Sequence, residues 1–321
     1  MKLNKKKNTM NKEYYIGVDV GGTSIKIGIF DKNKKLLDKF SMDTVIRKTN
    51  NEKLFLNDIF DVIESYCDGN KLKLTKNKIT GIGFAMPGPV VDNQLIHAVN
   101  INWKKKYDIV KATKKRFGQK VEVVVLNDGN AATLGENSYT LKNKYKCVCL
   151  ITLGTAVGTG IIIDGKLIEG KTGIAGELSH IRVDYSKDAA MCACGNRGCI
   201  ETLAGTKGLK NIYSRLLGKE KLADTVNAKM IIDKAKANDK IASEALDKSF
   251  DCISSLIAIL MHVFEPEVVL IGGGMSNAGK FIIDLIEKHL KEKIFMTKTL
   301  PKIMIAKLKN DAGMYGVVSR L

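Results

Sequence analysis

The chain has 321 residues, of which 45% are hydrophobic and 27% charged, a composition typical of a globular protein with room for two domains. The formal net charge is +18, but the lysines are dispersed and no basic block interleaved with aromatic residues stands out, so we expect no nucleic-acid partner. No apolar run is long enough to cross a bilayer, which argues against a membrane partner. The odd count of seven cysteines favours a reducing cytoplasm over a disulfide framework.

We expect the basic tail, residues 1–13, to be disordered, and the first two predicted strands follow it. Residues 14–31 read as strand, glycine turn and strand, and residues 32–42 add a third strand. The turn contains Asp19, Gly21, Gly22 and Thr23. Glycine N–H groups can approach a phosphate closely, and a neighbouring carboxylate suits hydrated Mg²⁺, although many glycine turns are only hairpins.

A buried strand that meets a helix provides the candidate catalytic base. Residues 51–67 have helical apolar spacing, and residues 79–90 form a short apolar strand broken by Pro87-Gly88-Pro89. Residues 120–126 predict another buried strand, which ends at Asn127-Asp128, and a helix begins at about residue 130. Asp128 could cap that helix, or it could accept the nucleophile's proton in phosphoryl transfer.

The second half of the chain repeats the first hairpin. Residues 153–164 resemble residues 21–31, with one extra residue, and two such hairpins suggest two related lobes that face one cleft. Gly154 and Thr155 in the second turn are phosphate-binding candidates, and Gly273-Gly274 ends a strand where a nucleoside or anion could dock. Residues 206–264 are mostly helical by pattern. No P-loop or Rossmann glycine motif is present.

A histidine and three cysteines lie close together in the sequence between residues 170 and 201. His180, Cys192, Cys194 and Cys199 form a donor set suited to tetrahedral structural zinc, and Glu177 and Glu201 bracket it. The alternative is that the cysteines are small buried apolar side chains. A loop closed by a metal would hold its carboxylates still around a ligand.

Taken together, these motifs resemble the ROK family of sugar kinases and repressors from about Tyr14 to the end of the chain. The matching segments are DVGGT (19–23), GFAMPGPV (83–90), NDGNAATLGE (127–136), TLGTAVGTG (152–160), GKTGIAGELSH (170–180), CACGNRGCIE (192–201), IGGG (271–274) and NDAGMYG (310–316). The resemblance implies a two-lobed, actin-like and RNase H-like α/β fold that closes over ATP and a sugar. We expect lobes at 14–126 and 127–308, a zinc loop at 180–199, and a C-terminal helix at about 309–321 that returns to the first lobe.

The resemblance also implies roles for individual residues. Asp128 resembles the base that takes the proton from the sugar 6-hydroxyl, and His180 would serve both zinc and sugar, which makes the zinc a scaffold rather than a Lewis acid. The implied sugar contacts are Asn102, Asn127, Asp128, Glu177, His180 and Glu201. The implied contacts to ATP and Mg²⁺ are Asp19, Gly21, Gly22, Thr23, Lys26, Gly154, Thr155, Gly273 and Gly274.

Two departures from the family pattern concern the sugar more than the reaction. Ser179 replaces a glycine, which would add strain if that position needs a positive φ. Ala156 and Thr159 replace glycines and are expected to narrow the space beside the second phosphate turn.

The resemblance leads to an ATP-dependent hexose kinase that converts glucose to glucose 6-phosphate, as a homodimer or homotetramer. Other sugars remain open: N-acetylmannosamine, N-acetylglucosamine, mannose, allose or a β-glucoside. Polyphosphate ranks below ATP as donor. A transcriptional repressor of the family would need a helix-turn-helix domain before Asp19, where the sequence leaves no room for one.

Overall fold

The computed structural model describes residues 13–49, 51–69, 74–219, 225–295, 297 and 299–321. The chain divides into two compact units. The first unit contains the described residues up to Gly135 together with Gly313–Leu321, and the second contains Glu136–Ala312. Each unit has its own five-stranded sheet and hydrophobic core.

The sheet of the first unit has parallel strands at its centre and on one side. Its elements are β1 (Tyr14–Val20), β2 (Ser24–Asp31), β3 (Leu36–Asp43), α1 (Asn51–Gly69), β4 (Ile79–Met86), β5 (Val90–Val91), β6 (Gln94–Leu95), α2 (Ile109–Phe117), β7 (Glu122–Asn127) and α3 (Asp128–Gly135). The strand order is β3-β2-β1-β4-β7. Because β1, β4 and β7 run parallel, their carboxyl ends meet at one edge of the sheet.

The second unit is built on a sheet of the same plan. Its elements are β8 (Val148–Leu153), β9 (Val157–Ile163), β10 (Lys166–Leu167), α4 (Glu201–Ala204), α5 (Thr206–Leu216), α6 (Ala228–Lys236), α7 (Lys240–Phe264), β11 (Val268–Gly272), α8 (Lys280–Lys293) and β12 (Lys302–Ile305), followed by α9 (Ala312–Arg320). The strand order is β10-β9-β8-β11-β12. The strands β8, β11 and β12 run parallel and β9 runs antiparallel to β8.

The internal repeat inferred from the sequence is confirmed by this topology. In both sheets an antiparallel hairpin comes first, and its first strand pairs in parallel with a later strand. Each hairpin turn holds three residues, Gly21–Thr23 in one unit and Gly154–Ala156 in the other.

The core of the first unit is formed by apolar side chains of the sheet, α1 and α2. β4 is buried along almost its whole length, which explains its continuous apolar sequence. On the opposite face of this sheet, Gly17 lies against Met314 of α9 and Gly83 lies against Val317. Glycines, which have no side chain, let the helix approach the strands this closely. The C-terminal helix therefore completes the first unit.

Two features of this region differ from the sequence-based expectation. Helix α2 was not predicted, because four basic residues interrupt the pattern of its buried positions, Ile109, Thr113 and Phe117. The helix expected from residue 130 begins two residues earlier and continues after Gly135 as a π-helical segment, Glu136–Thr140. None of the described helices combines the length and apolarity needed to span a membrane.

Candidate active site and metal centre

The first candidate phosphate turn is a hairpin turn at the carboxyl end of β1. Asp19 lies opposite Lys26 in β2 and next to Ala85 in β4. The N–H of Gly21 donates to the carbonyl of Ser24 (3.0 Å), and the hydroxyl of Thr44 donates to the Gly21 carbonyl (2.7 Å). The turn therefore uses the Gly21 N–H internally, while Gly22 and Thr23 are exposed.

The carboxylate of Asp19 is packed against the start of α9. A β-carbon added at Gly313 would lie 2.7 Å from the Asp19 carboxyl carbon, so a larger residue there would displace the carboxylate. This contact gives a physical reason for the glycine in the motif NDAGMYG. The conformation of the candidate magnesium ligand thus depends on a residue almost 300 positions away in the sequence.

Asp128, the candidate base, and its neighbour Asn127 make different hydrogen bonds. The side-chain oxygen of Asn127 accepts the N–H of Asn130 (3.1 Å), and its amide nitrogen donates to the Gly88 carbonyl (3.2 Å). Asn127 therefore takes the helix-capping role that the sequence left open for Asp128. Asp128 is exposed in the first turn of α3, and one of its oxygens accepts the N–H of Gly129 (2.8 Å).

The strand register brings the base and the first phosphate turn to the same sheet edge. Ala85 pairs with Asp19 on one side and with Leu126 on the other, so Asp19 lies level with Leu126, two residues before Asp128. Open α/β sheets bind ligands at the carboxyl ends of their parallel strands. The first unit thus presents two carboxylates and a glycine turn where a ligand is expected.

Asn102, a candidate sugar contact, lies in a tight loop of the same unit. Ala98 and Trp103 close this loop by exchanging backbone hydrogen bonds of 3.0 and 2.9 Å. Asn102 has a positive φ of 53°, which asparagine tolerates better than most residues. Its side-chain nitrogen donates to the Arg47 carbonyl (2.8 Å).

In the second unit, the two glycine turns meet at one sheet edge. Thr152 of β8 pairs with Gly272 of β11, so the turns that follow these strands are adjacent. Gly273 has a φ of 79°, and a β-carbon there would lie 2.5 Å from the Leu153 carbonyl carbon. Only glycine allows this close approach of the two turns.

The Gly154 turn is also tied to the first residue of α5. The Gly154 carbonyl accepts the N–H of Thr206 (2.9 Å), and the Gly154 N–H donates to Ala156 (3.0 Å). Thr155 remains exposed, so its hydroxyl is available to a phosphate.

The three candidate sugar contacts of the second unit lie in or beside the cysteine cluster: His180 belongs to it, and Glu177 and Glu201 are next to it. Glu177 Oε2 lies 3.9 Å from His180 Nε2, and Glu201 Oε1 lies 3.7 Å from the sulfur of Cys192. Glu177 and His180 flank a short 3-10 turn, while Glu201 begins α4. The structure thus brings together residues that the sequence spreads over 25 positions.

The structure shows the surroundings of two residues that depart from the family pattern. Ser179 is buried in the 3-10 turn and is not among the described residues with positive φ, so the strain that a positive φ would impose does not arise. Thr159 is buried in β9, and its hydroxyl donates to the carbonyl of Gly176, next to Glu177. The hydroxyl therefore anchors the loop that carries Glu177.

The predicted metal ligands converge. One donor atom from each of His180, Cys192, Cys194 and Cys199 lies within 4.8 Å of every other. The sulfurs of Cys194 and Cys199 are 3.7 Å apart, and Cys192 Sγ is 3.5 Å from His180 Nδ1. Zinc–sulfur bonds of about 2.3 Å in a tetrahedron place neighbouring sulfurs about 3.8 Å apart, so this donor set fits zinc.

Burial and backbone bonds act differently on the three cysteines of the cluster. Burial raises the pKa of the Cys192 thiol to about 12 and also raises that of Cys199, while the N–H of Asn196 lowers the pKa of Cys194. A metal ion bound here would have to displace the protons of the two buried thiols. Thiolates and imidazole are ligands that zinc prefers, whereas Mg²⁺ prefers oxygen.

Two structurally important residues were missed by sequence reasoning. Asn51 and Glu52, the first residues of α1, are buried and bond to the loop that contains Asn102. The only available signal was a polar pair, Asn-Glu, immediately before a helical apolar pattern, which is typical of any helix start.

Comparison with known proteins shows the family of the chain. The model of the ROK family matches residues 15–319. A glucokinase from Halalkalibacterium halodurans is 34% identical over 96% of this chain and 94% of its own length. An N-acetyl-D-glucosamine kinase from Haemophilus influenzae is 27% identical over 95% of this chain and 98% of its own.

A solved structure extends the likeness to three dimensions. The ROK family glucokinase from Streptomyces griseus, in complex with glucose and AMPPNP, is 28% identical and superposes with a TM-score of 0.75, covering 96% of this chain and 98% of the other. This likeness confirms the predicted fold class, the mixed α/β fold of actin-like sugar kinases. The chain therefore belongs to the ROK family, and it is a sugar kinase.

Proposed function

We propose that this kinase transfers the γ-phosphoryl group of ATP to the 6-hydroxyl of glucose. The observation that carries the proposal is the exposed carboxylate of Asp128, at the same sheet edge as the Asp19 turn, with helix capping left to Asn127. Glucokinases among the similar proteins support glucose as the acceptor.

In the proposed reaction Asp128 acts as the general base. One carboxylate oxygen accepts the proton of the 6-hydroxyl while the sugar oxygen bonds to the γ-phosphorus and the bond to the β-γ bridging oxygen breaks, releasing ADP. Phosphoryl transfer requires mainly positioning and charge stabilisation, so one well-placed proton acceptor is sufficient. Magnesium bound with ATP neutralises charge on the phosphates, and Asp19 is the residue that would hold it through water.

The remaining ATP contacts are assigned to exposed hydroxyls, to glycine backbone and to one lysine. In the first unit these are Gly21, Gly22, Thr23 and Lys26, and in the second unit Gly154, Thr155, Gly273 and Gly274. The close approach of Gly273 to Leu153 leaves a surface without side chains, which suits the flat face of adenosine. For Gly21 we assign close approach of the phosphate to its Cα, because its N–H and its carbonyl are both bonded within the first unit.

The sugar is read by acceptors and donors of fixed orientation. His180 Nδ1 faces Cys192 while its Nε2 faces Glu177, so zinc on Nδ1 would leave Nε2 for a sugar hydroxyl. Glu201 and Glu177 then accept hydroxyl protons from the same sugar. In this proposal zinc is structural, because its four protein donors leave no open position.

The proposed enzyme works in the cytoplasm. All seven cysteines are free, which agrees with a reducing cytoplasm. We keep a homodimer or homotetramer as part of the proposal, and ATP ranks above polyphosphate as donor.

The first experiment measures ADP release from Mg-ATP with glucose, mannose, N-acetylmannosamine, N-acetylglucosamine, allose and fructose. We expect the highest kcat/KM for glucose. A higher value for N-acetylglucosamine would make that sugar the proposed acceptor, as the name of the Haemophilus relative suggests. The two sugars differ at the 2-position, so the room that the site leaves there decides between them.

The base is tested by the isosteric change Asp128→Asn. It removes the proton acceptor and keeps the shape, so kcat should fall by a factor of about 10² or more while the sugar Kd changes little. Asp92→Asn, at an exposed turn of the same unit, is the matched control and should retain full turnover. A fully active Asp128→Asn enzyme would contradict the assignment.

A further inference from the structure

The carboxylate of Glu52 is buried and holds a loop by its backbone. Only 8% of Glu52 is exposed, and one of its oxygens accepts the N–H groups of Lys104 (2.8 Å) and Lys105 (2.9 Å). Burial by itself would raise the pKa of this carboxyl, but the backbone N–H donors outweigh burial and lower it. The ionised carboxylate is therefore the form that binds the loop.

Asn51 holds the preceding part of the same loop. It is 3% exposed, and its amide nitrogen donates to the carbonyls of Ile101 (2.8 Å) and Asn102 (3.2 Å). Its side-chain oxygen accepts the N–H of Arg47 (2.8 Å). The loop from residue 101 to residue 105 is thus bonded to the first two residues of α1.

These bonds close a ring around Asn102. The side-chain nitrogen of Asn102 donates to the Arg47 carbonyl, and Arg47 is itself fixed by two bonds to Asp58, of 2.6 and 3.0 Å. Asn51 bonds to both Arg47 and Asn102, so the three residues hold one another. Because the nitrogen of the Asn102 amide donates to Arg47, the oxygen of the same amide is the acceptor that a ligand could use.

The loop lies within the first unit beside the elements that bear the candidate active-site groups. Asn100 Cβ is 3.8 Å from the position of a β-carbon at Gly22, in the first phosphate turn. Three residues earlier, the His97 carbonyl lies against Gly88, whose own carbonyl accepts from Asn127. The segment 97–100, which leads into the loop, therefore contacts both the Gly22 turn and the backbone partner of Asn127, the residue before Asp128.

We propose that Asn51 and Glu52 are positioning residues for the sugar. They fix the Asn102 loop so that the Asn102 side-chain oxygen accepts a hydrogen bond from a sugar hydroxyl, and they thereby set the affinity for the sugar without touching it. The inference rests on the proposed role of Asn102 as a sugar contact. It concerns sugar affinity and leaves the phosphate contacts unchanged.

The test uses Trp103, the only tryptophan of the chain, which lies inside this loop and is 1% exposed. The variant Asn51→Asp keeps the size of the side chain and the acceptor for Arg47, but it loses both bonds that the amide nitrogen donates to the loop. We expect greater acrylamide quenching of Trp103 in the absence of any sugar. We also expect the KM of the sugar to rise about tenfold, as for two lost hydrogen bonds, with the KM of Mg-ATP changed less than twofold.

Two further variants keep the test decisive. Glu52→Gln retains the shape but replaces an ionised acceptor by a neutral one, so a smaller change in the same direction is expected, about threefold. Asn57→Asp, on the same helix, is the matched control, because among the described residues it makes no bond to the loop. It should leave quenching and kinetics unchanged.

The outcomes separate this inference from the proposed function. Increased quenching together with a higher sugar KM supports the inference. Unchanged quenching in Asn51→Asp, or increased quenching with an unchanged KM for the accepted sugar, overturns it. If the wild-type enzyme uses a sugar other than glucose, the same measurements are made with that sugar, so an error in the glucose assignment does not affect the result.

Discussion

At the scale of single residues, small side chains and their bonds decide how the candidate groups are oriented. Thr159 is an example, since the hydroxyl that distinguishes it from glycine donates to the Gly176 carbonyl beside Glu177. Asn127 is another, because it caps α3 and leaves the Asp128 carboxylate at an exposed position. In both cases a neighbouring side chain bonds to the backbone next to a candidate site residue.

The glycines of the cysteine loop allow a matched prediction at this scale. Gly195 and Gly198 both have positive φ, of 90° and 74°, but a β-carbon at Gly195 would meet open space, whereas at Gly198 it would collide with the Asp184 carbonyl. Gly195→Ala should cost about 1–2 kcal/mol of stability, the usual cost of left-handed backbone. Gly198→Ala should cost more and should lower the metal content.

Thermal unfolding and elemental analysis of the two variants check this prediction. A chelator should lower the melting temperature of the wild type and of Gly195→Ala, because the proposed zinc would bind only the folded loop. Equal losses of stability and metal in both variants would show that the Asp184 contact does not constrain the loop.

At the scale of elements, helices α1 and α2 are joined by an ion-pair network that the sequence did not indicate. Glu64 of α1 binds Arg116 of α2 through both carboxylate oxygens, with one bond of 2.7 Å, and it also pairs with Lys76. The bond to Arg116 lowers the pKa of Glu64 to about 2, against the opposing effect of burial. The network compensates for the weak apolar face of α2.

This network predicts a pH dependence of stability. Because the pKa of Glu64 is lowered in the folded protein, its contribution is fully present above the ordinary pKa of 4.5 and is lost as the pH falls from there toward 2. Glu64→Gln should cost about 1–2 kcal/mol at pH 7, allowing for partial exposure, and the difference from wild type should shrink below pH 4.

Urea unfolding of wild type and Glu64→Gln at pH 7 and pH 3 measures this difference. Glu122→Gln, at an exposed position on β7, is the control and should show no pH-dependent difference. A constant difference at both pH values would mean that packing, not charge, accounts for the effect.

At the scale of the whole molecule, the large positive charge makes a prediction about the donor. A net charge of +18 attracts polyanions through a field that salt screens, whereas a neutral sugar does not respond to it. The KM of Mg-ATP should therefore rise about threefold between roughly 50 and 300 mM NaCl, while the sugar KM stays constant. Steady-state kinetics at saturating co-substrate test this, and a salt-independent KM for Mg-ATP would limit the charge to a role in solubility.

Much of the architecture could be predicted from local sequence. Glycine turns after apolar strands, the repeated hairpin and the cysteine spacing are local patterns, because each arises from backbone conformation or from donor type within a few residues. These patterns were sufficient to predict the family, the fold class and a zinc-type donor set that the structure brings together.

Tertiary structure alone decided how those groups are held. The bonds from Asn51 and Glu52 to residues 101–105 span about 50 positions, and the contact of Gly313 with Asp19 spans almost the whole chain. Such contacts depend on how α1 and α9 pack against the sheet, and a side chain that bonds to a distant backbone group leaves no periodic trace in the sequence. The sequence by itself therefore determined the chemical groups and the turns that carry them, whereas packing determined their orientation.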